Sequence, residues 1–274
     1  MNDPRLTPFS GRVALARLRG QIDAPGFTEG SPARIAAPLA DLLRHRQGPR
    51  DRQLLHGAAV TVIDRSAEVS YVESGADGYC GWVRTDVLGP NHPVTHRVIA
   101  PATHLYPEPD IKAPALETLS LNALVAINGR KGRFLRSRAG LWLPAPHLAP
   151  IDQPATDPVS VAASLLGTPY LWGGNSRQGV DCSGLVQLAL HACARPCPGD
   201  SDLQQGALGP HLPPGTPPQR GDLLFWRGHV AWVSAPDMIL HANAHSMSVA
   251  FEPLDAALAR IQAESPLTAH IRPA

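Results

Sequence analysis

The stretch Tyr170-Leu171-Trp172-Gly173-Gly174, followed by Val180-Asp181-Cys182-Ser183-Gly184-Leu185-Val186-Gln187-Leu188-Ala189-Leu190-His191-Ala192, decides the reading of this chain. A glycine-rich loop leads into an apolar run that reads as a helix, and a cysteine stands at the junction. A thiol at a helix N-terminus faces unpaired backbone N–H groups and the positive end of the helix dipole. Both favour the thiolate, the nucleophilic form. The same N–H groups can hold an oxyanion during acyl transfer. The plainer alternative is that Cys182 is a buried small apolar residue.

The sequence downstream weighs against that alternative. Asp222–Trp226 and His229–Val233 read as strands joined by a turn at Arg227-Gly228, with Met238–Ala242 as a third strand and Ser248–Phe251 as a fourth. His229 and His241 stand 12 residues apart on adjacent strands. Antiparallel neighbours can bring such side chains together on one face. His229 is expected to take or share the thiol proton, and His241 to hold that imidazole in the right tautomer. His245 rivals His241, because residues four apart on a strand share a side. Upstream, Pro158–Leu166 reads as a helix with Asp157 or Thr156 as its cap, ended by Gly167-Thr168-Pro169.

The rest of the chain has a different character. Residues 1–150 carry 18 Lys and Arg against 13 Asp and Glu, a net +5, and residues 151–274 carry 6 against 10, a net −4. The change falls at a proline-rich stretch from Pro144 to Pro158, where the main domain boundary is expected. Before it, Ala59–Asp64, Val69–Glu73 and Tyr79–Val83 read as strands, and Ala102–Tyr106, Leu124–Ile127, Arg133–Arg136 and Leu141–Pro144 echo them. Gly81-Trp82-Val83 and Leu141-Trp142-Leu143 occupy matching places in this degenerate repeat. Leu39, Leu42 and Leu43 have helical spacing, so a short helix is expected within Pro32–Gln47. The expected domains are an N-terminal extension (1–30), a first small barrel with a helical insertion (31–93), a second barrel (94–150) and the cysteine domain (151–274).

Composition agrees with short strands joined by turns. With 29 Pro, 24 Gly and 5% aromatics among 274 residues, a helical bundle is disfavoured. The 43% hydrophobic content and net charge of +1 argue against disorder and against a strongly basic nucleic-acid binder. The basic run Arg130, Lys131, Arg133, Arg136 and Arg138 reads as a solvated hairpin. No apolar run approaches the ~18 residues that span a bilayer, and charges and prolines interrupt the N-terminal segment where a secretory signal would need ~7–15 apolar residues. A cytoplasmic protein is expected, with Cys80, Cys182, Cys193 and Cys197 reduced. His191, Cys193, Cys197 and His211 lack a paired C-x₂-C spacing, so no metal is expected.

The motifs Tyr170–Gly174, Val180–Val186, Gly221–Trp226 and Gly228-His229-Val230 resemble, in order, those of the NlpC/P60 cysteine peptidases. The resemblance covers most of residues 158–251. It implies an α+β fold: a papain-like domain in permuted order, its cysteine helix packed on an antiparallel sheet. The upstream units resemble two bacterial SH3-like barrels. Together they are similar to γ-D-glutamyl-L-diamino acid endopeptidases of the dipeptidyl-peptidase VI type, which recycle cell-wall peptides and require a free amine on L-Ala. By position the catalytic set is Cys182, His229 and His241.

The resemblance also implies a substrate-binding set. A free ammonium needs a carboxylate in a closed subsite, and Asp181 is given that role, although it equally suits the cap of the Cys182 helix. Tyr170 and Ser183 would contact substrate near the nucleophile, Trp172 belongs to the same motif, and Tyr79 aligns with the SH3 loop that closes the subsite in similar enzymes. Ser201 follows the helix in Asp200-Ser201-Asp202, where Gly199 replaces an expected arginine. Trp232 stands where a tyrosine is more usual. The implied partner is a small peptide, L-Ala-γ-D-Glu-diamino acid, acted on by a monomer without metal or organic cofactor, nucleic acid or membrane. Two other classes stay open: a cysteine-dependent acyltransferase or amidase on another small amide, and a non-catalytic wall-binding module.

Overall fold

In the computed structural model, which describes residues 3–273, the chain divides between Gln153 and Pro154 into two units. The first is built almost wholly of strands. Seven of them form one antiparallel sheet in the order Arg50–Leu55, Leu39–Leu43, Cys80–Arg84, Val69–Ser74, Ala59–Arg65, Ser31–Ile35 and Leu88–Pro90. Alternation drives the closure: Ile35, Leu42, Val60, Val62, Val72 and Val83 point inward to a common core.

The helix expected within Pro32–Gln47 is absent, and two strands, Ser31–Ile35 and Leu39–Leu43, take its place. Leucines at 39, 42 and 43 fit a helical stripe, but Ala40 and Leu42 are the residues that go inward, with a period of two. Pairing with Arg50–Leu55 supplies the backbone hydrogen bonds that a helix would have made locally. The N-terminal segment is packed rather than loose. Its Val13–Leu15 strand pairs in parallel with Gly26–Thr28, Leu15 joins a core with Ile63, Tyr71 and Trp82, and Arg12 forms an ion pair with Asp64.

A second β module, residues 94–150, has its own core of Val98, Leu105, Leu119, Val125, Leu143 and Leu148. The basic run lies on its Ile127–Lys131/Phe134–Ser137 hairpin, where Arg130, Lys131 and Arg133 are exposed.

The second unit is α+β. Helix α1 (Pro158–Ala163) is capped by Asp157, whose carboxylate accepts from the Val159 and Ser160 N–H groups. Helix α2 (Cys182–Ala192) is buried on every residue but His191. Two further helices, α3 (Ser201–Ala207) and α4 (Leu254–Gln262), lie in stretches for which the sequence reading assigned no helix. The five-stranded antiparallel sheet runs Ser248–Pro253, Met238–Asn243, His229–Ala235, Leu223–Trp226 and Leu267–Ile271. Its last strand also escaped the sequence reading. Helix α4 covers one face with Leu254, Ala257 and Ile261 against Leu224, Trp226, Val233 and Ile239. At the sheet's base, buried Asp222 accepts from Arg272 Nε (2.7 Å) and the Gln219 N–H (2.9 Å) and lies 2.8 Å from His270 Nε2, tying the terminal strand to the sheet. No helix among the described residues is long and apolar enough to cross a membrane.

Candidate active site

Close packing of glycines places Cys182. A Cβ on Gly184, the third residue of α2, would stand 2.5 Å from the Gly174 carbonyl oxygen, and one on Gly174 would stand 2.5 Å from the Gly179 carbonyl oxygen. Only glycines let the loop lie against the first turn of the helix. Asp181 then locks the two together. Its Oδ1 accepts from the Gly184 N–H (2.7 Å) and the Ser183 hydroxyl (3.0 Å), and its Oδ2 accepts from the Gly173 N–H (2.9 Å). The cap role that the sequence allowed for Asp181 is therefore filled. On the other side, buried Gln204 of α3 donates to the Ser183 carbonyl (2.9 Å) and the Pro198 carbonyl (3.1 Å).

The Cys182 thiol is buried against the turn that opens the His229 strand. Its Sγ lies 3.9 Å from the Gly228 carbonyl oxygen. The N–H groups of Val230, Ser183 and Cys182 itself favour the thiolate, as expected of a helix N-terminus, but they are outweighed. Burial, and after it the Asp181 charge, pushes the thiol up to about 12. Burial likewise holds His229 down to about 3, with His241 adding to the effect, and His241 down to about 4. The resting site is thus a neutral thiol beside neutral imidazoles, whereas the helix N-terminus alone would have predicted a thiolate.

The sheet register lines up the histidines. Trp232 pairs with Leu240, so one step on, Ala231 faces His241, and His229 lies diagonally across on the same face. His229 Nε2 is 2.9 Å from His241 Nδ1. The Trp226 ring lies beside His229, centroid to centroid 5.7 Å. His245, the rival, is exposed beyond the end of its strand at Asn243, where the two-residue period no longer applies.

The sequence reading missed Glu252. His241 pairs with Ala250, and Glu252, two residues on, shares its face. Glu252 Oε2 lies 3.0 Å from His241 Nε2, in a close contact bent away from the ring N–H direction. Arg260 of α4 clamps the same carboxylate through Nε (3.0 Å) and Nη2 (2.6 Å). An alternating strand of Ser248–Pro253 carries the signal, since Glu252 and Ala250 share parity.

The remaining site residues fall as follows. Tyr170 is half-buried in the stretch that leads into the glycine loop, its backbone bridged to Val180, and burial pushes its hydroxyl up. Ser183 is buried under Asp181. Trp172 is 68% exposed next to the glycine loop, and Ser201 opens α3, half-buried, one turn before Gln204. Tyr79 belongs to the first unit, where its ring is buried in the core under the Arg52 guanidinium, 4.9 Å from the ring centre.

A cysteine at a helix N-terminus beside a histidine pair on an antiparallel sheet defines a papain-like cysteine hydrolase. Residues 167–261 match the NlpC/P60 family, and residues 44–88 match the bacterial dipeptidyl-peptidase SH3 domain. The chain therefore carries an NlpC/P60 peptidase domain preceded by a bacterial SH3 domain. It is 28% identical over 244 residues to the gamma-D-glutamyl-L-lysine dipeptidyl-peptidase of Bacillus cereus, covering 75% of this chain and 71% of that protein. Dipeptidyl-peptidase 6 of Lysinibacillus sphaericus is 28% identical over 233 residues, covering 74% and 83%. The crystal structure of an NlpC/P60 family protein from Bacillus cereus superposes with a TM-score of 0.71, covering 82% of this chain and 95% of that one at 23% identity, and shows the shared fold.

Proposed function

We propose that this protein hydrolyses the γ-D-glutamyl–diamino acid amide bond of short cell-wall peptides that bear a free N-terminal L-Ala. The observation that carries the reading is the Cys182 thiol at the mouth of α2, 3.9 Å from the Gly228 carbonyl oxygen that precedes His229, with His229 2.9 Å from His241, in a chain whose relatives over about three quarters of its length are named gamma-D-glutamyl-L-lysine dipeptidyl-peptidase and dipeptidyl-peptidase 6. The thiol attacks the amide carbon as its proton passes to His229. The N–H groups at the start of α2 stabilise the oxyanion, the protonated His229 delivers the proton to the departing amine, and water then cleaves the acyl-enzyme. Asp181, Tyr170, Ser183, Ser201 and Trp172 are the candidate contacts to the peptide. Turnover of wall peptides by a cytoplasmic monomer completes the proposal, and the four free cysteines accord with it.

The test is hydrolysis of L-Ala-γ-D-Glu-meso-diaminopimelate and of its L-Lys counterpart, followed by mass spectrometry. Cys182→Ala is expected to abolish cleavage with the fold intact, and N-acetylation of L-Ala to block turnover. Equal rates on the acetylated peptide refute recognition of the amine. Activity retained in Cys182→Ala refutes the nucleophile.

A further inference from the structure

The Glu252–Arg260 ion pair stands against the buried histidines, and the mechanism above does not use it. His229, His241 and Glu252 lie on three adjacent strands and on one face, each diagonal to the next. From the structure we infer that Glu252, clamped by Arg260, is a positioning residue: it fixes the tautomers of His241 and His229 and so keeps His229 Nδ1 free of a proton to serve as the base. The inference rests on the assignment of Cys182 and His229 made above.

A neutral imidazole has one N–H donor and one acceptor nitrogen. An ionised carboxylate only accepts, and the Arg260 hydrogen bonds hold Glu252 below the usual carboxylate range. An unprotonated nitrogen would set its lone pair against an ionised oxygen 3.0 Å away, so His241 Nε2 carries the hydrogen facing Glu252 Oε2, and His241 Nδ1 is the acceptor. His229 Nε2, 2.9 Å from that acceptor, must carry its own hydrogen. Nδ1 of His229 is then the unprotonated nitrogen, and it is the one not taken by His241. Without the carboxylate the chain can reverse. His241 Nδ1–H would donate to His229 Nε2, and the proton on His229 would move to Nδ1, where it disables the base.

Arg260 is essential to the device. It engages both carboxylate oxygens and holds Oε2 3.0 Å from His241 Nε2, so the negative charge cannot rotate away from the ring. The charged or titratable groups facing His241 are His229 from its neighbouring strand, Glu252 from the other, Arg260 from α4 and His245 from the turn.

The first measurement reads the wild-type chain. Imidazole ¹⁵N NMR on the full chain near pH 7, assigned with single His→Gln variants, is expected to show His241 and His229 both neutral and both protonated on Nε2. His241 protonated on Nδ1 overturns the proposal. The second compares Glu252→Gln and Arg260→Leu with wild type. Alkylation of Cys182 by iodoacetamide near neutral pH is expected to slow by about 10–100-fold, the usual cost of losing an orienting outer partner, with a shifted pH profile. The kcat on the wall peptide is expected to fall comparably with KM little changed. Folded Glu252→Gln with wild-type alkylation rate and pH profile overturns it as well. Alkylation does not depend on the substrate. If wild type cleaves no γ-D-glutamyl peptide while Glu252→Gln still slows alkylation, the substrate reading fails and the positioning role stands.

Discussion

Replacing Gly184 with alanine probes the packing that places the nucleophile. The new Cβ would lie 2.5 Å from the Gly174 carbonyl oxygen, 3.1 Å from Asp181 Oδ1 and 3.3 Å from Asn175 Oδ1. Ordinary contact begins near 3.4 Å, so about 0.9 Å must be found between α2 and its loop. Little can yield. The Gly174 carbonyl accepts from the Asp181 N–H at 3.2 Å, and Asp181 Oδ1 is the helix cap. Overpacking of this kind costs roughly 1–3 kcal/mol. Gly206 supplies the reference, because it sits in α3 with nothing within 4 Å of its Cβ. Both substitutions gain the same alanine preference of about 1 kcal/mol, so their difference isolates the clash. Gly206→Ala is expected to match or exceed wild-type stability, and Gly184→Ala to fall below Gly206→Ala by ~1–3 kcal/mol in urea unfolding. A displacement near 1 Å at the nucleophile can cost ~10²-fold in rate, so alkylation of Cys182 and peptide hydrolysis should drop by about that much in Gly184→Ala alone. Equal stability of the two variants, together with rates within about twofold of wild type, refutes the account of how Cys182 is placed.

Three other outcomes follow from the same structure. The buried histidines are neutral in the fold and titrate near 6.5 when unfolded, so the unfolded chain binds more protons below that pH. Stability is full above about 6.5 and falls as pH drops toward 4, with His96 acting in the same direction; a urea midpoint unchanged between pH 7.5 and 5 contradicts this. Asp222→Asn leaves Arg272 and His270 without their buried carboxylate and is expected to lower stability by at least about 2 kcal/mol, read by thermal unfolding. Asp181→Ala removes the cap of α2 and the tie to Gly173, and is expected to cost ~1 kcal/mol in unfolding along with a loss of hydrolysis; wild-type hydrolysis in this variant refutes its placement in the site.

The candidate site was legible because each of its proposed members leaves a local signature. A glycine loop running into an apolar helix marks Cys182, and strand parity brings His229 and His241 to one face. What escaped was set by pairing over distance. Leu39, Leu42 and Leu43 obey a helical spacing, yet the Arg50–Leu55 strand captures them, and nothing within Pro32–Gln47 records that partner. The terminal strand is held by Asp222, 48 residues before His270, so its place at the sheet edge is a tertiary fact. Glu252 was hidden differently. Its strand was read only as far as Phe251, and a lone glutamate just past it is ordinary until Arg260 from the following helix holds it against His241.

Burial and helix N-terminus act on Cys182 in opposite directions, and their balance assigns each a separate task. If the N–H groups of α2 won in the resting enzyme, the thiolate would already be stabilised, and that stabilisation would raise the barrier as much as it lowered the charged state. Here burial keeps the thiol and both imidazoles neutral, so charge appears only when the proton moves to His229. In the proposed reaction the α2 N–H groups then face a developing oxyanion rather than a resting sulfur anion, and Glu252, beyond the His241 ring, supports a developing imidazolium on His229. Both favour the transition state over the ground state. A site made this way needs its tautomers set in advance, since neutral imidazoles do not orient themselves by charge, and the fixed Glu252–Arg260 pair is the element of the fold that sets them.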